Sequence, residues 1–156
     1  TGLRFFTVYG PWGRPDMAYY LFVDAIMNNK PIKIFNNGEM ERDFTYIDDI
    51  VSGLTKVIEK NIDSREDYKI YNIGNNKRES LQDFITTIEE VIGKKAIKEM
   101  YPMQAGDVQS TWADVDELIK DYDYKPNTPI KKGLREFIKW YKMFTLKKNN
   151  YSTTQK

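Results

Sequence analysis

Apolar and polar positions along the chain follow two rhythms, a period of two over short runs and a helical repeat over longer ones. Residues 2–8 are rich in aromatic and β-branched side chains and read as a strand, which "YGPWGRP" ends because its Gly and Pro content forces a loop. Ala18, Leu21, Phe22, Ala25 and Ile26 then recur at the spacing of one buried helix face, with Asp16 in the capping position. "KPIKIF" predicts a short strand, turned by Asn36, Asn37 and Gly38. Arg42 to Tyr46 predicts another. The helix after it, capped by Asp48 or Asp49, carries Ile47, Ile50, Val51, Leu54, Val57 and Ile58 on one side.

"YKIYNIG" at 68–74 is again strand-like, and Ser80 with Asp83 three residues on resembles a capping box. The helix it opens is expected to bury Leu81, Phe84, Ile85, Ile88, Val91 and Ile92 and to end at Gly93. Residues 96–101 predict a further strand, and Asp114 with Glu117 a short helix. Thr128 and Pro129 start a last helix that shows Ile130, Leu134, Phe137, Ile138 and Tyr141 on one face. Beyond residue 146 the tail "KKNNYSTTQK" has nothing to bury, so residues 1–146 are expected to form one domain and 147–156 a disordered tail. Alternating short strands and helices give an α/β class.

Composition narrows the chemistry. The chain has 156 residues, no Cys and no His, which removes disulfides, thiol nucleophiles, thiolate or imidazole metal sites and every His-based triad. Lys and Arg total 24 against 23 Asp and Glu, spread along the chain rather than gathered in a stripe, which argues against a nucleic-acid footprint. No apolar run approaches the roughly 20 residues that cross a bilayer and no signal-peptide pattern opens the chain, so no membrane partner and a cytoplasmic location are expected. The first residue is Thr and a strand begins at once, as though the chain started inside a fold.

Taken singly, each motif is ambiguous. Arg42 in "ERDF" reads either as a solvated or ion-paired surface charge or as a guanidinium fork holding two oxygens of a phosphate. "GPWGRPDM" is a tight loop before a helix, or a loop that displays Arg14 toward a carboxylate or phosphate. "AGDV" at 105–108 is by default a turn in which Asp107 satisfies local donors, and Phe35 a strand-end core residue that could also stack on a flat base.

In order and spacing, "LRFFTVYGPWGRPDMA", "KPIKIFNNGEMERDFTYIDDIV", "YNIGN", "QAGDV" and "TWAD" together resemble the extended short-chain dehydrogenase/reductases that act on nucleotide sugars. The first two segments look most like UDP-glucuronate 4-epimerases, including bacterial capsule and lipopolysaccharide enzymes, and the resemblance covers roughly residues 2–145. It implies the C-terminal portion of a Rossmann-like, NAD-dependent epimerase: a small mixed α/β substrate domain plus strands that would join a parallel sheet. It also implies that Arg42 grips the diphosphate of a UDP-sugar, that Lys33 and Phe35 meet the uracil, and that Asp107 meets the ribose. Thr7 and Arg14 match the positions that hold the sugar carboxylate, and Gln104 is typical of the glucuronate subgroup, although Ala105 replaces a usual proline. Phe5, Phe6, Tyr9, Gly10 and Pro11 are expected along the nicotinamide side of the NAD cleft.

The family's glycine-rich "GxxGxxG" is not in this sequence, and none of its Tyr residues has Lys four positions on. The catalytic groups and most of the NAD site are therefore expected upstream of Thr1, with the fragment inactive alone and the full-length protein a homodimer by the same resemblance. The alternatives are another UDP-sugar 4-epimerase, a 4,6-dehydratase, a UDP-glucuronate decarboxylase, or a non-catalytic nucleotide-sugar binding module.

Overall fold

The computed structural model describes residues 1–61 and 68–153. The order is β1 (Gly2–Phe5), β2 (Thr7–Tyr9), α1 (Ala18–Met27), β3 (Pro31–Phe35), β4 (Glu41–Arg42), β5 (Phe44–Tyr46), α2 (Ile47–Asn61), β6 (Ile70–Ile73), β7 (Glu79–Ser80), α3 (Leu81–Ile92), β8 (Ile97–Tyr101), α4 (Asp116–Tyr122) and α5 (Ile130–Thr153). The fold is mixed α/β, as the alternation predicts. Among the described residues the strands form four two-stranded sheets: β1–β6, β2–β5 and β3–β8 are parallel, and β4–β7 is antiparallel.

Two strands expected to be continuous are broken, each where the chain changes partner. At Phe6 the backbone N–H still reaches Ile73 O at 3.2 Å, and one residue later Thr7 pairs with Phe44 instead. The second break is at Asp43, between β4, which pairs with β7, and β5, which pairs with β2. Asp43 is fully buried. Its Oδ1 accepts from Thr45 Oγ1 (2.9 Å) and from the N–H of Asn75 (2.7 Å), and its Oδ2 from the N–H of Asn76 (2.9 Å) and of Ala113 (3.0 Å). One carboxylate thus ties the β4–β5 corner to the turn after β6 and to the segment before α4. Gly74 makes room for it, since a Cβ there would lie 2.6 Å from Ala113 Cβ and 3.1 Å from Asp43 Oδ2.

The larger core joins α1, β3, β5, α3 and α5 around Tyr9, whose ring meets Tyr19, Phe44, Tyr46 and Phe84 at centroid distances of 5.6–6.5 Å. The smaller core packs Ile50 and Val57 of α2 against Tyr71, Ile73, Leu118 and Tyr124. On α2 the buried seam runs through Ile50, Gly53 and Val57. Gly53 admits Tyr124 so closely that a Cβ would stand 2.7 Å from its ring. Val51, Leu54 and Ile58, expected on the same buried side, are exposed. On α1, Phe22, Ala25 and Ile26 are buried as the spacing predicts, joined by Tyr19 and Val23, while Leu21 is exposed.

Capping is partly as expected. Ser80 Oγ accepts from Asp83 N–H at 3.4 Å, and Gly93 ends α3 in the left-handed region at φ 78°. Asp16 does not cap α1: Met17 takes the N-cap position without a side-chain bond, and the Asp16 carboxylate pairs with Arg14. Asp49 sits inside the first turn of α2 and accepts instead from Asn127 and Thr128 N–H, which secures the entry to α5. Helix α5 continues through Thr153, where a disordered tail is expected from residue 147. No Gly or Pro lies between Leu134 and Thr153 to stop it, and residues 154–156 lie outside the described residues. Among the described residues no helix is long and apolar enough to cross a membrane.

Asp43→Ala is expected to destabilise the fold by at least about 3 kcal/mol in urea unfolding, because four donors lose a buried acceptor at once. Asp43→Asn is expected to be destabilising as well, since an NH2 at the Oδ2 position would face the N–H groups of Asn76 and Ala113, and one at Oδ1 the N–H of Asn75. An Asn variant with the parental midpoint would overturn the role given to the carboxylate.

A second prediction concerns acid. Burial opposes ionisation of Glu89, but the Lys95 ammonium (2.7 Å), the Ala96 N–H (3.1 Å) and Lys98 outweigh it and hold the carboxyl below its ordinary value of 4.5. A depressed folded-state pKa contributes stability that is complete above the unfolded value and lost as pH falls through the folded one. The urea midpoint should therefore drop as pH is lowered below about 4.5, and less steeply in Glu89→Gln. Equal acid slopes in the two proteins would refute this.

Candidate functional site

A cleft of about 660 Å³ opens between α1, β3, the β4–β5 corner and the turn at residues 104–107. Strand periodicity explains one wall: on β3, Ile32 and Ile34 point into the core, so Lys33 and Phe35 occupy the opposite face. Phe35 is half-buried and lies 5.7 Å from Tyr101, its register partner on β8, while Lys33 Nζ stands 5.6 Å from the same ring. Tyr101 therefore orders both residues from outside the cleft. Its hydroxyl donates to Glu99, and this bond raises its pKa above the ordinary tyrosine value.

Arg42 reaches the cleft from β4. The segment 109–111 is strapped to that strand by Glu41 N–H to Gln109 O (2.9 Å), Thr111 N–H to Glu41 O (3.2 Å) and Ser110 Oγ to Glu41 Oε2 (2.8 Å). Arg42 Nη1 in turn donates to Glu41 O (2.8 Å) and Gln109 O (3.2 Å). Two carbonyls thus fix one edge of the guanidinium, and among the described residues no carboxylate competes for the other edge. A planar cation held in this way is pre-organised for an anion with two oxygens.

Thr7 enters from the start of β2, and Gln104 and Asp107 from the facing turn, where Asp107 N–H bonds Gln104 O at 3.2 Å and Gly106 takes φ 88°. Phe22, Met40, Phe44 and Leu81 supply an apolar floor. Six residues singled out by sequence, Thr7, Lys33, Phe35, Arg42, Gln104 and Asp107, therefore line one cleft.

The seventh, Arg14, does not. Its side chain is 74% exposed, pairs with Asp16 Oδ2 at 3.2 Å and touches Met17 Sδ at 3.6 Å. Asp16 and Met17 line the cleft in its place. The pattern of residues could not reveal this, because Asp16 before a helix carries the same signal whether it caps or pairs. Lys30 and Asp24, also in the lining, gave no sequence signal; Asp24 accepts from the Tyr141 hydroxyl, which burial and this bond push above its ordinary pKa.

The residues expected beside a nicotinamide separate into two groups. Phe5, at the carboxyl end of the parallel strand β1, is 51% exposed, and Phe6 and Pro11 are half-buried. Tyr9 is placed otherwise: its side chain lies in the aromatic core, its hydroxyl donates to Ile130 O at 3.4 Å, and burial raises its pKa far above the ordinary tyrosine value. The side chain has no open face to offer a ligand. Gly10, at φ 143°, passes so close to α2 that a Cβ would fall 2.5 Å from Ile47 Cγ2.

Residues 1–74 match the NAD dependent epimerase/dehydratase family. Across 90% of its length the chain is 46% identical to protein CapI of Staphylococcus aureus and 42% identical to a probable UDP-glucuronate 4-epimerase of Rhizobium meliloti, covering 46% of each. The UDP-glucuronic acid 4-epimerase of Bacillus cereus, solved in complex with UDP-glucuronic acid and NAD, superposes with a TM-score of 0.83 at 33% identity, over 91% of this chain and 45% of that one. The chain spans about half the length of the curated relatives it matches. By sequence over residues 1–74 and by fold over most of its length, the chain is similar to the NAD dependent epimerase/dehydratase family.

Proposed function

We propose that this chain supplies the substrate-holding part of a nucleotide-sugar 4-epimerase that interconverts UDP-glucuronate and UDP-galacturonate. The observation that carries the reading is the convergence of six residues, spread from Thr7 to Asp107, on one cleft with a pre-organised arginine in it. Arg42 would hold the diphosphate, Phe35 and Lys33 the uracil end, and Asp107 the ribose. Gln104 would stand beside them, and the Thr7 hydroxyl with Arg14 would hold the sugar carboxylate.

The chemistry explains why a carboxylate clamp is needed. Oxidation at C4 leaves a ketone β to the C5 carboxylate, and such acids lose carbon dioxide when the breaking bond stands perpendicular to the carbonyl plane. A guanidinium fork and a hydroxyl can fix the carboxylate out of that orientation while the 4-keto sugar turns over to present its other face. Bound NAD would take up the C4 hydride and return it to that face. The exposed Phe5, with Phe6 and Pro11 at the carboxyl end of a parallel strand, fits one wall of such a site, which is where open α/β sheets bind nucleotides. The reacting acid–base pair would lie in the remainder of a longer, homodimeric cytoplasmic protein, in keeping with the capsule and lipopolysaccharide enzymes that the sequence resembles.

Calorimetry on the chain should detect UDP, and Arg42→Ala should weaken it roughly 10- to 100-fold, the effect of losing charge-assisted hydrogen bonds. Unchanged affinity would return Arg42 to an ordinary surface charge. The full-length protein given UDP-glucuronate and NAD should yield UDP-galacturonate; release of a UDP-pentose, or turnover of neutral sugars alone, would refute the assignment.

A further inference from the structure

The loop that carries Arg14 is pinned at three points. Gly10 packs under Ile47, and Gly13 lies so close to α1 that a Cβ would overlap the Tyr19 hydroxyl at 1.5 Å. Between them Trp12, in the left-handed region at φ 63°, lays its ring 5.4 Å from Trp140 and 6.0 Å from Phe144 of α5. Trp12 is 79% exposed, so this contact covers one side of the ring, but the two glycine approaches leave the backbone little room to swing. Arg14 can therefore change partner by rotating its own side chain, and hardly by loop closure. Its present partner, Asp16, is 68% exposed and lines the cleft that Arg14 itself does not line.

We propose that Asp16 is a built-in stand-in for the substrate carboxylate: it occupies Arg14 when the cleft is empty, and a carboxylate-bearing nucleotide sugar must exchange with it. The inference rests on the proposed function and adds a determinant of specificity to it. A sugar without a carboxylate gains nothing from displacing Asp16 and leaves the Arg14–Asp16 pair intact. An acidic sugar would exchange one ion pair to Arg14 for another, so its advantage is the difference between the two pairs. Asp16 lowers that advantage and keeps Arg14 paired and close at hand.

An exposed pair of this kind is worth a factor of about two to five in an equilibrium constant. In Asp16→Asn, the ratio of affinity for UDP-glucuronate over UDP-glucose, measured by calorimetry on the chain at low salt, should rise by about that factor. Arg14→Gln should lower the ratio, and adding Asp16→Asn to it should change nothing further, because the competition exists only while Arg14 is there to be competed for. A ratio that falls or stays level in Asp16→Asn overturns the proposal. So does a rise that persists in the Arg14→Gln background, which would mean plain repulsion between Asp16 and the ligand. No UDP binding by the parent chain, or Arg42→Ala binding UDP as tightly as the parent, would instead overturn the site reading and this inference with it.

Discussion

The buried carboxylate of Asp43 is the constraint on which the rest of the arrangement depends. It stands where the chain leaves the antiparallel β4–β7 pair for the parallel β2–β5 pair, and its four hydrogen bonds draw in two other segments. Those segments bear on function. The turn at Asn75 and Asn76 ends the strand that pairs with β1, and Ala113 closes the segment whose carbonyl at Gln109 orients Arg42. A buried acceptor with four donors is costly to break and costly to rebuild in another register, so it fixes one geometry for the cleft wall. Arg42 is the residue immediately before it, and inherits that rigidity.

The two cores meet at this corner and divide the work. The aromatic core around Tyr9 holds α1, α3 and α5 together and so sets the floor of the cleft. The smaller core holds α2 against β6 and α4. Gly53 and Gly74, each admitting a neighbour that a Cβ would exclude, are what allow the smaller core and the Asp43 corner to close. Tyr9 has a structural place here, a phenol buried among four rings. A residue carried over from a family motif can thus belong to the site's foundation rather than to its surface.

What was legible in the sequence was local or periodic. The spacing of Phe84, Ile85 and Ile88, the Ser80 cap and the Gly93 stop all lie within one helix and all appear in the structure. The residues of the cleft were legible as an ordered set of motifs, and six of them converge. The breaks at Phe6 and Asp43 were not, because alternation looks the same on both sides of a point where only the pairing partner changes. On α2, periodicity marked an apolar face but could not say that Ile50, Gly53 and Val57 would face Tyr124 and its neighbours while Val51, Leu54 and Ile58 stay outside. Asp16 shows the same limit, since a carboxylate before a helix has two local uses and the choice between them depends on Arg14.

The two arginines of the cleft region differ in how they are held, and that difference has a physical logic. Arg42 is fixed by backbone carbonyls, which cannot leave without unfolding the strap, so its free edge would meet an anion with little ordering left to do. On the proposed reading, such a contact would favour every ligand with a diphosphate and distinguish none of them. Arg14 is held by a single exposed side chain on a loop whose backbone is pinned, so its partner can be exchanged at small cost. On the proposed reading, such an exchangeable contact would contribute little to affinity but respond to the charge of a bound sugar. Fixed cation for the shared part of the ligand and exchangeable cation for the variable part would let relatives of this fold keep one nucleotide site while differing in the sugar they accept.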